Sequence, residues 1–404
     1  MEFGPIFRAL LRNKIGAVLI ALQIAFTMTV SLNAWVMIQE RMEKAARPSG
    51  MDEANTFHFQ SYGFTTEFNN KLTIENDLRQ LRELPGVVDA VQTNAVPLSG
   101  SGWSMGFRTS TEDDAQAFGG AVYMLDEHGI DALGVKLIAG ENFTPTDVRW
   151  RGRSSADWPP KAIISRALAK ALYPDEADVL DIVGKSAFIA ESPFTIIGIM
   201  ETLQAPWSGS SIAEQSVIVP QHLETRAARY IVRTEPGQRD SLMPQVEELL
   251  ASSNSERIIR SMETIEETRR DSYQLDMGLA KILGFVMAVL ILITGLGILG
   301  LASFSVSRRT KQIGIRRALG ATTSDILRYF LVENMLITFA GVVLGAILTV
   351  ALNIWLVDMM NFPKISWYGI PLGMVVLMAL GQLAVLGPAN NACRVSPATA
   401  TRTV

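Results

Sequence analysis

Four long, mainly apolar runs are separated by polar sequence along this chain of 404 residues. A helix needs about 20 apolar residues to cross the hydrocarbon core of a bilayer. Each run has about that length or more, and the fourth is the shortest. The runs cover residues 15–38, 282–306, 330–357 and 370–386. The pattern therefore predicts four transmembrane helices.

The polar stretch between the first and second runs shows the two periodicities of ordinary α and β structure. Segment 73–87 reads as an amphipathic helix that Pro85 and Gly86 stop. Strands, alone or with a following helix, are predicted at 87–98, 161–174, 193–200, 215–220 and 229–251. Strand–helix units with mixed strand pairing imply an α+β domain.

We therefore predict a membrane α-helical protein with four transmembrane helices and a large extracytoplasmic α+β domain inserted between helices 1 and 2. Charged helical stretches at 38–50 and 261–281 are expected to continue the first two membrane helices outward as a stalk. The N-terminus and first helix are predicted at 1–39, and the inserted domain with its stalk helices at 40–276. The second and third helices are predicted at 277–306 and 329–357, joined by a cytoplasmic coupling loop at 307–328. A short external loop at 358–369, the fourth helix at 370–387 and a cytoplasmic tail at 388–404 complete the chain.

Charge is distributed unevenly between these parts. The chain is 48% hydrophobic and 19% charged, whereas soluble proteins usually carry about 25% charged residues. Residues 40–276 hold 36 acidic and 23 basic residues, and the remainder holds 13 basic and 4 acidic residues. Short loops rich in Arg and Lys stay in the cytoplasm. We therefore expect both termini, with Arg8 and Arg12, and the loop 307–328 to be cytoplasmic, and the acidic domain to be external.

The sequence offers no catalytic or metal-binding constellation. Segment 184–186, Gly-Lys-Ser, matches the end of a phosphate-binding loop, but Val179 stands where that motif needs glycine. The three histidines have no spacing typical of a metal site. The only cysteine, Cys393, falls in the predicted tail, so the external domain has no disulfide. We expect this chain to be non-catalytic, without a metal or a bound cofactor.

Small and weakly polar residues predict where the membrane helices touch one another. A polar stripe in lipid should face protein, and small residues let helices approach closely. The alternative, weakly polar residues that lipid merely tolerates, stays open. The residues expected to pack are Gln23, Thr27, Ser31, Gly284, Ala288, Gly295, Gly341 and Gly345. An acid within a membrane helix needs a cation, and Glu333 has Arg328 or the arginines of the loop as expected partners.

The loop 307–328 follows the second apolar run and places five basic residues within its first eleven positions. Gly320 and Ala321 provide a helix break and a small site, and the hydroxyl-rich segment 322–325 is typical of a cap that opens the next helix. A helix that docks a partner needs rigidity, a small contact site and steering charge. The alternative is a plain topology anchor, for which arginines suffice.

Residues 307–334 resemble the signature of the FtsX-like permease domain, which is found in the MacB, lipoprotein-release and FtsX branches of ABC transporters. The family usually has Glu where this chain has Gln312. Segments 134–147 and 161–200 resemble the MacB-like periplasmic core domain, and 387–402 is similar to the element that closes these permeases. The resemblance assigns ATPase coupling to Arg308, Arg309, Gln312, Ile313, Gly314, Arg316, Arg317, Ala318, Leu319, Gly320, Ala321 and Asp325.

The resemblance implies a multi-pass permease subunit of the bacterial inner membrane. Cytoplasmic ABC ATPase subunits would bind ATP and Mg, and a second permease, identical or related, would complete the assembly. Membrane lipids are expected partners and nucleic acid is not. Three functions stay open: export of peptides, toxins or drugs with a periplasmic adaptor and an outer-membrane duct, lipoprotein release, or FtsX-like regulation of a periplasmic cell-wall hydrolase.

Overall fold

The computed structural model describes residues 14–112, 115–152, 157–360 and 362–394. The chain forms two compact units, and the unit Lys44–Leu275 interrupts the other, which is built from both ends of the chain. Arg8, Arg12 and the tail 395–404, for which we predict a cytoplasmic location, lie outside the described residues.

The helices and strands predicted in the insert are present in the predicted order, together with others that the sequence analysis did not predict. The helices are α1 (Lys14–Ala46), α2 (Asn70–Glu83), α3 (Gly129–Leu133), α4 (Arg166–Leu172), α5 (Arg239–Ser253), α6 (Ile265–Ser272), α7 (Gln274–Arg308), α8 (Thr310–Ala318), α9 (Thr323–Met360) and α10 (Gly369–Cys393). The strands are β1 (Thr56–Gly63), β2 (Val87–Thr93), β3 (Trp103–Arg108), β4 (Phe118–Leu125), β5 (Leu137–Gly140), β6 (Arg149–Arg151), β7 (Lys161–Ser165), β8 (Ser186–Ile189), β9 (Ser192–Met200), β10 (Ser216–Leu223), β11 (Ala227–Thr234) and β12 (Arg257–Thr264). Single 3-10 turns lie at Glu53–Asn55 and Val179–Ile182.

Four of these helices, α1, α7, α9 and α10, are long and apolar enough to cross a membrane. All the strands lie between α1 and α7 in the sequence. The predicted fold class, four membrane helices with a large α+β domain inserted between the first two, is therefore confirmed.

The first part of the inserted unit is a four-stranded antiparallel sheet with strand order β12-β1-β11-β2. Alternate residues of β1, such as Phe57 and Phe59, are buried on one face, where they form a core with Ile74 and Leu78 of α2 and Val246 of α5. Helix α2 begins where the side chain of its N-cap residue accepts a hydrogen bond from the first turn, and it ends before the predicted Pro-Gly stop. The antiparallel sheet and the helices α2 and α5 therefore pack as two layers around one core.

The second part is a mixed sheet that closes on itself. Its strands follow the order β4-β3-β8-β9-β7-β10, and β10 also pairs with β4 in parallel register. The closed sheet surrounds a core that includes Phe107, Ile164, Phe194 and Val217. Closure removes the open edges that an extended sheet would expose. The strand-then-helix prediction at 161–174 is confirmed by β7 and α4.

The predicted stalk is correct for α1 and wrong for its partner stretch. Helix α1 continues to Ala46, as expected. The stretch 261–281, however, begins as the end of β12, continues as the separate helix α6 and breaks at Tyr273 before α7. Pairing of β12 with the distant strand β1 makes the first residues of this stretch extended, and a capping box of Thr264 and Glu267 then starts a new helix at the end of the strand.

A buried ion pair holds α2 to the edge of the first sheet. Arg257 donates to Oδ2 of Asp77 over 2.5 Å, and their side chains are only 0% and 2% exposed. The hydroxyl of Tyr230 also donates to Asp77, over 2.8 Å. Nε and Nη2 of Arg257 donate to the carbonyl oxygen of Leu250, and Nη2 also donates to the hydroxyl of Ser253. The network satisfies both charges in a place that water does not reach.

We expect His128 to stabilise the inserted unit most strongly at mildly acidic pH. Its Nδ1 atom lies 2.9 Å from Oδ2 of Asp89, and this hydrogen bond raises the pKa of His128. A raised folded-state pKa means that the stabilisation is complete below the ordinary imidazole value of about 6.5. It is then lost as the pH rises through the raised value. Thermal unfolding of His128→Gln should show a larger loss of stability near pH 6 than near pH 8.5, which lie about half a unit below and two units above the ordinary imidazole pKa. Equal losses at both pH values would contradict the prediction, and Lys136→Gln serves as an exposed control.

Candidate functional site

A short helix with two sharply defined ends lies between the second and third membrane helices. Helix α8 begins after Arg309, whose backbone leaves the helical conformation. It ends in a Schellman motif, in which Ala321 N–H donates to Arg316 C=O and Gly320 N–H donates to Arg317 C=O. Gly320 has a φ of 99°, a left-handed conformation that glycine adopts without steric cost.

The next helix has its own cap. The hydroxyl of Thr322 accepts from the N–H of Asp325, and the carboxylate of Asp325 accepts from both the N–H and the hydroxyl of Thr322. The predicted cap at 322–325 is therefore confirmed. The end of α8 and the start of α9 are therefore both hydrogen-bonded, which fixes the turn between these two helices.

One face of α8 is fixed to the membrane helices. Ile313 and Gly314 are buried there. Arg309 donates to Oε2 of Glu333 over 2.8 Å and to the hydroxyl of Tyr329 over 3.3 Å. Arg317 donates to the carbonyl oxygen of Cys393 over 2.9 Å, at the end of α10. The intramembrane acid therefore pairs with a loop arginine, one of the two alternatives that the sequence left open.

The opposite face of α8 is exposed and partly apolar. It presents Gln312, Ile315, Arg316 and Leu319, which follow the i, i+3, i+4, i+7 spacing of one helical face. Leu319 is 83% exposed and Ile315 is 48% exposed. The guanidinium of Arg316 lies 4.9 Å from the ring centre of Tyr329, which orients it along this face. We call these four residues the docking face.

The structure sorts the predicted coupling residues into two groups. Residues that anchor α8 to the bundle are Arg309, Ile313, Gly314 and Arg317. Residues that are exposed are Arg308, Gln312, Arg316, Ala318, Leu319, Gly320 and Asp325, with Ala321 half-buried. Two further residues, Ile315 and Tyr329, were missed by the sequence analysis. The apolar pair Ile315 and Leu319, four residues apart in a basic helix, was the signal that could have found the first.

The polar stripe of α1 contacts α7 at two of its three positions. The hydroxyls of Thr27 and Thr294 lie 2.7 Å apart, and the amide of Gln23 donates to the carbonyl oxygen of Ile293 over 3.0 Å. The buried hydroxyl of Ser31 has no partner among the described residues. Hydrogen bonds between membrane helices contribute about 0.6 kcal/mol on average, so the stripe orients α1 more than it stabilises it.

The two glycines of α9 lie against α1. A Cβ atom on Gly341 would come within 2.9 Å of Ile24, and one on Gly345 within 2.9 Å of Met28. On α7 a Cβ atom on Gly284 would meet no described atom within 4 Å, and Ala288 is exposed, so the described residues of this chain give neither one a packing partner. Gly295 makes ordinary contact, since its Cβ atom would lie 3.8 Å from Leu380. Spacing alone could not say which face of α7 the other described helices cover.

We expect Gly345→Leu to destabilise the membrane bundle by about 1–3 kcal/mol, because overpacking forces side chains and backbone apart. Gly284→Leu is the matched control, since nothing lies within 4 Å of the added Cβ atom. Thermal unfolding in detergent should show a lower midpoint for the first variant and an unchanged one for the second. Equal midpoints for the two variants would contradict the close α1–α9 contact.

The inserted unit contains a second fixed point, where the chain leaves α1. Arg269 of α6 donates to the carbonyl oxygens of Ala45 and Arg47 over 2.9 and 2.7 Å. The same guanidinium binds both carboxylate oxygens of Glu53, over 2.7 and 2.8 Å. A bidentate pair of this kind fixes geometry as well as charge. We call this arrangement the Arg269 clamp, and it ties the end of α1 to the segment that leads into α7.

Comparisons with known proteins cover most of the chain. The family model of the MacB-like periplasmic core domain matches residues 19–249, and that of the FtsX-like permease C-terminal region matches residues 284–397. A macrolide export ATP-binding/permease protein MacB of Nitrosomonas europaea is 28% identical over 279 residues, which are 66% of this chain and 40% of that protein. The Brucella melitensis protein of the same name is 28% identical over 254 residues, 60% of this chain and 38% of its own.

The chain thus spans about two fifths of the length of these curated relatives. Among solved structures, the periplasmic region of MacB from Actinobacillus actinomycetemcomitans is similar to 57% of this chain and 97% of its own, with 14% identity and a TM-score of 0.35.

Proposed function

The chain belongs to the MacB-like family of ABC transporter permeases, and we propose that it couples ATP hydrolysis by separate cytoplasmic ATPase subunits to conformational change in its periplasmic domain. Family membership makes it a multi-pass membrane protein with a periplasmic core domain. The proposal places both termini and α8 in the cytoplasm. ATP and Mg would be bound by the partner ATPase.

The docking face of α8 is the observation that carries this proposal. Exposed Leu319 and Ile315 have an unfavourable contact with water that a partner groove would remove. Arg316 and Gln312 on the same face would steer and orient the partner. A plain topology anchor needs arginines alone and explains neither the two apolar side chains nor the hydrogen-bonded corners.

Displacement of α8 has direct routes into the membrane helices. The Arg309–Glu333 pair connects it to α9, and the bond from Arg317 to Cys393 connects it to α10. Helix α7 continues from Arg308 back to Gln274 without interruption. In the periplasmic unit the Arg269 clamp joins the end of α1 to α6, the helix that leads into α7. We propose that motion passes along these elements.

Export of peptides, toxins or drugs, with a periplasmic adaptor and an outer-membrane duct, is the function that we favour. The curated relatives are named as macrolide export proteins, which supports an exporter. Lipoprotein release and regulation of a cell-wall hydrolase are the alternatives.

A second permease, identical or related, would complete the transporter, and gentle affinity purification with mass spectrometry should recover it together with an ABC ATPase. Recovery of no ATPase would undo the proposal.

We expect Leu319→Asp to reduce stimulation of the co-purified ATPase by about tenfold or more, because a charge replaces an apolar anchor at the centre of the contact. Leu180→Asp is the control, since Leu180 is also an exposed leucine, 51% against 83% for Leu319, but lies in the periplasmic unit. Membrane insertion of both variants is checked by protease protection. Full stimulation by Leu319→Asp would mean that α8 is only a topology anchor.

A further inference from the structure

A cavity of about 550 Å³ opens in the periplasmic unit beside the point where the chain leaves α1. Pro48 lines it from the segment after α1, Lys136 from the start of β5, and Arg166 and Lys170 from α4. Glu201 and Glu214 also contribute to its wall. The cavity is thus lined by three basic and two acidic side chains.

The two acids already have cationic partners. Nζ of Lys136 lies 3.2 Å from Oε2 of Glu201, and Nε of Arg47 lies 4.0 Å from Oε1 of Glu214. Arg166 and Lys170 have no ion-pair partner among the described residues, and both are exposed towards the cavity. Two uncompensated cations therefore face this space, although residues 40–276 as a whole carry an excess of acidic residues, 36 against 23 basic.

The placement of these cations opposes the electrostatics of their own helix. Arg166 is the first residue of α4, where the helix dipole favours anions. Lys170 follows four residues later, so two like charges are neighbours on one face of a seven-residue helix. Local rules of this kind are commonly broken at functional sites, where another interaction compensates. An anion in the cavity would supply that compensation.

The covalent chain keeps Pro48, which lines the cavity, close to the membrane. The apolar run of α1 ends at Ile38, and eight more helical residues at about 1.5 Å each lead to Ala46. Two further residues, at most about 3.6 Å each, reach Pro48. Pro48 is therefore within about 19 Å of the hydrocarbon boundary, and the polar headgroup layer itself is about 5–8 Å deep.

We propose that this cavity binds a phosphate group, and that the phosphate belongs to the headgroup of an anionic phospholipid in the adjacent leaflet. The fork of Arg166 suits two phosphate oxygens, and Lys170 adds a point charge. The inference is independent of ATPase docking at α8. It assigns a lipid contact to the part of the periplasmic unit that lines this cavity. The charge of the membrane surface would then influence the position of that part.

The test is native mass spectrometry of the full chain titrated with phosphatidylglycerol. Arg166→Gln with Lys170→Gln should bind one phosphatidylglycerol fewer than the unmodified chain at a concentration that saturates the latter. Arg79→Gln with Lys71→Gln is the matched control, because it removes the same two side-chain types from an exposed face of α2. The control should bind as many as the unmodified chain.

Two outcomes would overturn the inference. Equal numbers of phosphatidylglycerol on all three proteins would show that the cavity holds no headgroup. The second outcome is a double variant that binds fewer molecules of inorganic phosphate or glycerophosphoglycerol than the unmodified chain, but equal numbers of phosphatidylglycerol. That result would show that the cavity binds a soluble phosphate compound and not a lipid headgroup. Phosphatidylcholine in place of phosphatidylglycerol should abolish the difference, since its headgroup carries no net charge.

Discussion

Replacing Asp77 with alanine is expected to lower the free energy of unfolding of the periplasmic unit by about 3–5 kcal/mol. The change leaves the Arg257 guanidinium uncompensated at a site where its side chain is 0% exposed. The hydroxyl of Tyr230 loses its acceptor as well. Urea unfolding of the full chain in detergent, followed by tryptophan fluorescence, measures the loss.

An exposed pair on the same helix provides the control. Lys71 and Glu75 lie four residues apart, 4.0 Å between charged atoms, with about half of each side chain exposed. Lys71→Ala should change stability by no more than about 0.5 kcal/mol. Asp77→Leu combined with Arg257→Met should recover most of the loss, because an apolar pair leaves no buried charge. A single variant Asp77→Ala that behaves like Lys71→Ala would show that the buried charge is solvated in solution.

Replacing Glu333 with glutamine is expected to reduce stimulated ATP turnover roughly tenfold or more, since truncating one member of a hydrogen-bonded charge pair costs about 2–5 kcal/mol. The glutamine amide oxygen can still accept from Arg309, but the bond is no longer charge-assisted on both sides and the ion pair is lost. Helix α8 loses its charged connection to α9, so docking of the ATPase no longer moves the membrane helix. ATP hydrolysis by the purified complex, with and without the permease, is the measurement.

The control for this variant is Asp358→Asn, at the exposed far end of the same helix. It removes one acidic charge from α9 without touching the connection to α8. Exchange of the pair, Arg309→Glu with Glu333→Arg, should restore part of the stimulation while the single Arg309→Glu does not. Unchanged stimulation by Glu333→Gln would sink the idea that this pair transmits force.

Local chemistry was sufficient for much of the fold. Four apolar runs predicted the membrane helices because their length must match the bilayer. The Pro85-Gly86 stop, the strand and helix at 161–174 and the cap at 322–325 each depend on a few neighbouring residues, and the structure confirms them. The loop 307–328 was identified as a candidate for coupling in the same way, from its basic residues and Gly320.

Errors arose where two distant segments decide the outcome. The sequence predicted a continuous stalk helix through 261–281, but pairing with β1 turns its first residues into a strand. The packing predicted for Gly284 and Ala288 stays a prediction, because small residues permit close packing on α7 but do not say where a neighbour lies.

The sequence alone determined the number of membrane helices, the position of the insert and the existence of a rigid basic segment, since each follows from composition and short-range geometry. Only the tertiary structure decided that β10 returns to β4, that Asp77 meets Arg257 across 180 residues, and which face of α8 remains exposed. Contacts between distant residues depend on how all elements pack at once, and no local pattern encodes that choice.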